Sequence, residues 1–225
     1  MQLVEQHVLK TTHPAYGDVD AAAFASKNLY NAATYEVRQC FFATGSYLNY
    51  YSLYAMFQNR DEYRALPRKV SQWVLRLVDK NWKAYRAAIK EYAKTPGKFL
   101  DEPRIPHYKD KQQGRNVLVY TIQALSKRAL RKGMIQPSGL PPITNTLQER
   151  EAIDQVRIVP KKTHYVVEVV YNKEPHEQSQ SQHVAGMDVG LGNLAVIASD
   201  KPGFTPVVVN GRPLKSINQY YNKQR

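Results

Sequence analysis

The chain has 225 residues, 43% of them hydrophobic, which is enough for a folded protein with its own core. A single cysteine, Cys40, excludes an internal disulfide and a cysteine-based zinc site and favours a cytoplasmic location. No apolar run approaches the roughly 18 residues of a membrane span, so we expect no membrane partner. The net charge of +13 is concentrated in residues 60–132, which hold 19 Lys and Arg against 7 Asp and Glu. A localised basic block indicates a polyanion binder, since a solubilising surface mixes both signs.

The first 60 residues predict a strand and two helices. Alternation of apolar and polar residues predicts a strand over 2–10, and Asp18 or Asp20 is positioned to cap a helix over about 21–42. Gly45 and Ser46 end that helix. A second helix over 47–57 aligns Tyr47, Tyr50, Tyr51 and Tyr54 on one face. Such a stripe either packs in a core or stacks on nucleobases, and core packing is the more common use.

The clearest helix covers residues 68–94. Its apolar residues share one face: Val70, Trp73, Val74, Leu77, Tyr85, Ala88, Ile89 and Tyr92. The opposite face carries six cations, here called the basic ridge: Lys69, Arg76, Lys80, Lys83, Lys90 and Lys94. A solvated charged face normally interleaves Glu with Lys, whereas this one is diluted only by Asp79 and Glu91. The pattern therefore predicts an anionic partner along the ridge.

Residues 95–115 predict an extended arm, because Pro96, Pro103 and Pro106 are incompatible with a helix interior. The arm mixes basic and aromatic groups in the manner of a segment laid along a phosphate backbone. These groups are Arg104, His107, Tyr108, Lys109, Lys111 and Arg115. Beyond the arm, the sequence predicts a strand over 116–122, a hairpin over 155–159 and 164–171, and a polar linker over 172–182.

Residues 184–199 read V-A-G-M-D-V-G-L-G-N-L-A-V-I-A-S. An apolar strand over 184–188 delivers Asp188 into a turn with Gly190 and Gly192, and a second strand follows over 194–198. A carboxylate on a rigid strand can hold a divalent cation, and glycine lets a phosphate backbone approach closely. Two-metal phosphodiester chemistry needs several carboxylates, but Asp200 is the one acidic residue after Asp188. The six histidines form no i, i+4 pair, and no nucleophilic triad stands out.

Taken in order, these segments resemble the N-terminal part of the OrfB/TnpB proteins of bacterial insertion sequences, relatives of the type V CRISPR effector nucleases. The resemblance covers essentially the whole chain. It is carried by L-Y-N-A-A-T-Y-E-V-R, K-V-S-Q-W-V-L-R-L-V-D-K-N-W-K-A-Y, P-R-I-P-H-Y-K-D-K-Q-Q-G-R-N-V-L-V-Y-T, V-R-I-V-P-K-K-T-H-Y-V-V-E-V-V-Y, G-M-D-V-G-L-G-N-L-A-V and N-G-R-P-L-K-S-I-N-Q-Y-Y-N-K.

The resemblance implies an α+β fold of three parts. Residues 1–12 with 96–178 are expected to form a wedge-type β-barrel, and residues 18–94 an inserted helical recognition domain. Residues 184–225 would be the first strands of an incomplete RuvC or ribonuclease H-like domain. The implied partners are a guide RNA from the transposon end and a double-stranded DNA target, in the bacterial cytoplasm with the nucleoid.

The resemblance also assigns a role to Asp188, as the first catalytic, metal-binding carboxylate. The family's later Glu and Asp and its four-cysteine zinc finger have no counterpart, since no Glu follows Glu177. We therefore expect a truncated RNA-guided endonuclease that binds guide RNA and DNA but does not cleave alone. Mg²⁺ belongs to the complete family site and is not expected to bind stably here. Two alternatives stay open: a nuclease-inactive RNA- and DNA-binding regulator, and a non-functional pseudogene product.

Overall fold

A computed structural model describes residues 1–143, 152–174, 182–190 and 192–224. The chain forms two compact units, Met1–Glu174 and Pro175–Arg225. The division between them falls inside the predicted polar linker 172–182, of which residues 175–181 lie outside the described ranges. Each unit is described by itself below.

The first unit contains four strands and five helices in its described residues. In chain order these are β1 (Gln2–Leu9), α1 (Tyr16–Thr44), α2 (Tyr50–Phe57), α3 (Asp61–Arg64), α4 (Arg68–Lys94), β2 (Leu118–Thr121), α5 (Lys127–Arg131), β3 (Ile153–Pro160) and β4 (Tyr165–Asn172). The bounds of α4 agree with the sequence prediction at both ends. The prolines of the arm keep residues 99–117 free of helix and strand.

Helix α1 begins earlier than predicted, and neither Asp18 nor Asp20 caps it. Its N-cap residue is Ala15, whose backbone N–H donates to His13 Nδ1 at 3.1 Å. Asp20 instead accepts bonds from Arg115 and Tyr165. The predicted end is confirmed: Gly45 adopts φ 70°, and its N–H donates to Phe41 O. Glycine suits this left-handed position because it has no Cβ.

The sheet of the first unit is open, so the predicted closed barrel is wrong for the described residues. Its strand order is β1-β4-β3-β2, and each neighbouring pair is antiparallel. β1 pairs only with β4 and β2 only with β3, which leaves two edges. Closing a barrel requires the edge strands to pair with each other. Here β2 has only four residues and packs against α4.

One hydrophobic core joins the helices to the sheet. Its fully buried members include Leu29, Leu75, Trp82, Leu118, Ile158 and Val167. Helix α4 contributes Val70 and Val74, as predicted, but the other apolar side chains that it buries are Leu75, Val78 and Trp82. Helices α1 and α2 and strand β2 all pack on α4. The face of α4 that is fully buried against these neighbours does not include Trp73 and Leu77. These two side chains remain half-buried.

The second unit is a three-stranded antiparallel sheet followed by a helix. Its elements are β5 (Ala185–Asp188), β6 (Asn193–Ser199), β7 (Val207–Asn210) and α6 (Arg212–Gln224), in sheet order β5-β6-β7. The sequence prediction missed β7 and α6. Of the described residues in this unit, Gly211 alone is buried, and a Cβ there would lie 2.9 Å from Gly192 O. Apolar side chains such as Met187 (65% exposed) and Val208 (58%) face solvent.

Candidate nucleic-acid interface

Four cations of the basic ridge are exposed and unpaired. Lys69, Lys80, Lys90 and Lys94 lie on α4, with no ion pair or hydrogen bond to any part of the chain that the structure describes. Helix α4 holds them on one side because its opposite side is buried against the core. A rise of 1.5 Å per residue places Lys69 and Lys94 about 38 Å apart. The ridge is therefore a long row of free positive charge.

The other two ridge residues have intramolecular partners. The Arg76 guanidinium lies 4.6 Å from the centroid of the Tyr50 ring. Lys83 Nζ donates to Asp79 Oδ2 at 2.8 Å, and this bond holds the pKa of Lys83 above its ordinary value. Both side chains remain exposed. Arg76 and Lys83 can therefore contact an anionic ligand, although each also makes a contact within the protein.

The tyrosine stripe lies beside the ridge and is partly buried. Helix α2 begins at Tyr50, where Asn49 Oδ1 accepts from Ser52 N–H, so Tyr47 precedes the helix. Tyr47, Tyr50 and Tyr54 pack against the core. Tyr51 is 77% exposed and meets Tyr50 edge to face, with centroids 5.3 Å apart. Core packing and an exposed aromatic surface are therefore both present, on different tyrosines.

Two arginines that the sequence analysis did not select join the tyrosines to α4. Arg86 lies 5.0 Å from the ring centroid of Tyr47, and Arg68 Nη2 donates to Tyr54 Oη at 2.6 Å. Arg86 follows Lys83 by three residues, so helical spacing was a signal that could have found it. The ridge, these arginines and Tyr47, Tyr50 and Tyr51 are here called the ridge–tyrosine surface.

The extended arm is fixed along α1 through its backbone. Asn31 Nδ2 donates to Lys109 O, and Asn31 Oδ1 accepts from Lys109 N–H, both at 2.9 Å. Lys27 Nζ donates to Lys111 O at 2.6 Å. Asn116 N–H donates to Ala23 O at 3.0 Å. Because these groups recur along one face of α1, the arm keeps a fixed path.

Buried Lys27 is the least expected part of this attachment. Its side chain is 2% exposed, and Nζ lies 3.7 Å from the Phe24 ring centroid. Burial lowers the pKa of Lys27. Nothing in the sequence separates Lys27 from a surface lysine, since it occupies an ordinary helical position. The structure makes it an anchor for the arm.

The predicted side chains of the arm differ in what they touch. Arg104 pairs with Asp101 at 2.7 Å and is exposed, and Lys111 is exposed. Tyr108 is 43% exposed under the Arg38 guanidinium, 4.8 Å from the ring centroid. Lys109 Nζ lies 5.2 Å from the Tyr30 ring centroid, and burial lowers the pKa of Lys109. Arg104, His107, Tyr108 and Lys111 are the predicted arm residues that are exposed and can contact a ligand, although Arg104 is also paired with Asp101.

Arg115 belongs to a three-residue cluster that we call the clasp. Its Nε and Nη2 donate to Asp20 Oδ1 and Oδ2 at 2.8 and 2.7 Å. Tyr165 Oη donates to Asp20 Oδ1 at 2.6 Å. The bond from Arg115 holds the pKa of Asp20 below its ordinary value, and burial raises the pKa of Tyr165. The clasp ties α1, the arm and β4 together.

Asp188 stands alone at one end of the second unit's sheet. It ends β5, pairs in register with Val196, and is exposed. Asp200 lies at the other end of the strand, where its Oδ1 accepts from Val184 N–H at 2.7 Å. Four residues of extended strand, about 13 Å, lie between Asp188 and Val184, the residue beside Asp200. Among the described residues no three His, Cys, Asp or Glu side chains come together, so this geometry does not fit a catalytic Mg²⁺ site.

Comparison with known proteins gives matches among solved structures only; no protein-family model and no curated protein matches the sequence. The chain is similar to a Cas12f1 solved with sgRNA and target DNA, at 10% identity over 99% of this chain and 61% of that one (TM-score 0.39). It is also similar to a CRISPR-Cas12f ternary complex, at 9% identity over 92% of this chain and 50% of that one (TM-score 0.37). The chain thus spans about half to three fifths of the length of these structures.

Neither long helix, α1 nor α4, nor any other helix in the described ranges, combines the length and apolar character that a bilayer crossing requires.

Proposed function

We propose that this protein is a TnpB-like, RNA-guided nucleic-acid-binding protein whose principal contact with RNA is the ridge–tyrosine surface. The observation that carries the proposal is the row of four unpaired lysines on α4, beside the exposed ring of Tyr51. Like charges on one helix face repel one another, and an anionic ligand relieves that repulsion. The phosphates of an RNA strand supply negative charge along the length of the row.

The tyrosines favour a ligand with accessible bases. Positively charged grooves with flanking aromatic rings bind single strands, since every base has a face that can stack. Tyr51 offers such a ring, and the exposed side chains of the arm extend the basic surface. We assign the guide RNA of the proposed function to this surface, and a double-stranded DNA target to the same protein as its second partner.

We propose binding without cleavage for this chain of 225 residues. Asp188 occupies the position that the resemblance gives to the first catalytic carboxylate, but in-line phosphodiester displacement needs metal ions held by several ligands. The isolation of Asp188 favours the second candidate function, a nuclease-inactive RNA- and DNA-binding regulator. Both candidates require the same RNA surface and neither predicts DNA cleavage by these 225 residues, so cleavage that depends on Asp188 would contradict both.

Salt-dependent RNA binding tests the proposal. Replacing Lys69, Lys80, Lys90 and Lys94 with Gln removes four charges that have no role in the fold. For a single strand, log K falls with log salt by about 0.7 per neutralised phosphate, so the slope should flatten by up to about 2.8. The measurement is RNA affinity by fluorescence anisotropy between about 50 and about 400 mM salt. This range of salt concentration, roughly tenfold, is wide enough to resolve the slope.

The matched control removes four exposed charges elsewhere on the same unit: Lys10, Lys132, Lys161 and Lys162, each replaced with Gln. Both variants have a formal net charge of +9, that is 13 minus 4. The control should keep the slope of the wild type. Equal slopes for the two variants would mean that the ridge does not contact RNA and would refute the proposed function.

A further inference from the structure

A cavity of about 380 Å³ lies between α4 and the sheet, on the flank of the basic ridge. Its walls are mostly apolar: Trp73, Val74, Leu77, Val117, Val119 and Val159. A second cavity of about 260 Å³ extends along the same face of α4, lined by Lys69, Gln72, Trp73 and Arg76 together with Asp154 and residues of the β2 end. Trp73 and Arg76 line both cavities. They therefore form one groove, with Trp73 at its centre.

The groove also contains polar groups. Arg157 and Glu168 pair across β3 and β4, with Nη2 and Oε2 2.9 Å apart. Arg157 Nε is buried, and no acceptor reaches it from the part of the chain that the structure describes. Gln155 lies beside them. The groove thus has donors and acceptors among apolar walls, which is the composition of a site for a flat, partly polar molecule.

We propose that this groove receives one unstacked nucleobase of the bound nucleic acid. This inference rests on the proposed function, which supplies the nucleic acid. The Trp73 indole provides a face for the base, and the apolar walls exclude water from it. Gln155 provides a hydrogen-bonding partner for its polar edge, because both carboxylate oxygens of Glu168 already accept from Gln6 and Arg157. Arg76 and Lys80 stand at the mouth, where the phosphates on either side of the inserted nucleotide would lie.

Charge complementarity argues for a nucleotide over an apolar peptide. The groove is lined by four cations, Lys69, Arg76, Lys80 and Arg157, against two anions, Asp154 and Glu168. Glu168 is already paired with Arg157. The remaining charged groups that line the groove are three cations and one anion, so their net charge is positive. A peptide side chain would fill the apolar walls but leave these cations without a partner, whereas a nucleotide satisfies both.

The test compares short single-stranded oligonucleotides that carry bases with abasic oligonucleotides of the same length and charge, each as RNA and as DNA. Binding of either base-bearing oligonucleotide to the wild-type protein should quench Trp73, while the abasic forms should not. Trp82 is fully buried and should not respond to bases directly. Quenching by RNA, by DNA or by both supports the proposal, and a stronger effect of one of them identifies the preferred source of the base. Equal effects of base-bearing and abasic forms would overturn it.

Substitution gives the second measurement. Trp73→Ala should weaken binding of the base-bearing oligonucleotide about tenfold, the loss of one stacked base, and leave the abasic affinity unchanged. Trp73→Phe should restore most of that loss, and the control Tyr35→Ala, an exposed tyrosine on α1, should change neither affinity. If Trp73→Ala lowers both affinities equally, the groove is not a base site. Retained salt-dependent binding with no base effect refutes this inference alone, whereas absence of salt-dependent binding refutes the proposed function.

Discussion

Replacing Asp20 with Ala should destabilise the first unit more than any other single change to an acidic side chain on α1. Asp20 accepts from two nitrogens of Arg115 and from Tyr165 Oη. Removing it leaves a guanidinium and a phenol without their acceptor, in positions where both are partly withdrawn from water. The clasp is also the point at which the arm, α1 and β4 meet, so its loss weakens all three attachments.

The magnitude follows from the contacts. A hydrogen bond to a charged group stabilises a protein by about 1.5–3 kcal/mol, and the Tyr165 bond belongs to this class. The side chains of Arg115 and Asp20 are 24% and 32% exposed, so we assign their ion pair only about 1 kcal/mol. Together these give about 3 kcal/mol. For a unit of this size, that lowers Tm by roughly 6–12 °C.

The effect should depend on pH in a defined direction. The bond from Arg115 holds the pKa of folded Asp20 below its ordinary value of 3.8. A carboxyl with a depressed pKa contributes stability above its unfolded pKa and loses it as pH falls through the folded pKa. The difference in free energy of unfolding between wild type and Asp20→Ala should therefore be complete at pH 7 and shrink below about pH 4.

The assay is urea unfolding followed by circular dichroism at 222 nm, at pH 7 and at pH 3 (about one unit below the ordinary Asp pKa). The control is Asp18→Ala, which removes an exposed carboxylate one half-turn earlier on α1. Asp18 interacts favourably with the helix dipole, so its loss should cost at most about 1 kcal/mol. Equal destabilisation by both substitutions, or an Asp20→Ala effect that persists unchanged at pH 3, would refute the assigned role of the clasp.

Two further predictions concern the second unit. The chain of 225 residues should cut no DNA with Mg²⁺ or Mn²⁺ when given RNA and a target duplex, since Asp188 has no neighbouring carboxylate among the described residues. DNA cleavage that the substitution Asp188→Ala abolishes would contradict this prediction. Residues 184–225 should exchange amide hydrogens faster than residues 68–94, because Gly211 alone among their described members is buried; equal protection in a monodisperse monomer would show that these strands have found a partner surface.

Elements with a local sequence signal could be predicted from the amino-acid sequence. The apolar and basic faces of α4 repeat with the helical period, so its bounds and the basic ridge follow from residues 68–94 alone. Proline at 103 and 106 keeps helix out of the arm, whereas Pro96 begins a short 3-10 helix over Pro96–Lys98, and glycine at 45 ends α1. These features depend on backbone geometry within a few residues, which neighbouring elements do not change.

Tertiary structure decided what each side chain does. Lys27 and Lys111 are both lysines in a basic protein, but packing of the arm on α1 buries one and leaves the other exposed. The sequence predicts Arg115 as a phosphate ligand. In the folded protein its hydrogen bonds are accepted by Asp20, which lies 95 residues earlier. Whether the sheet closes and where Asp200 lies relative to Asp188 depend on strand order and register. Such contacts join residues distant in sequence, so no local pattern encodes them, and only the folded chain brings the partners together.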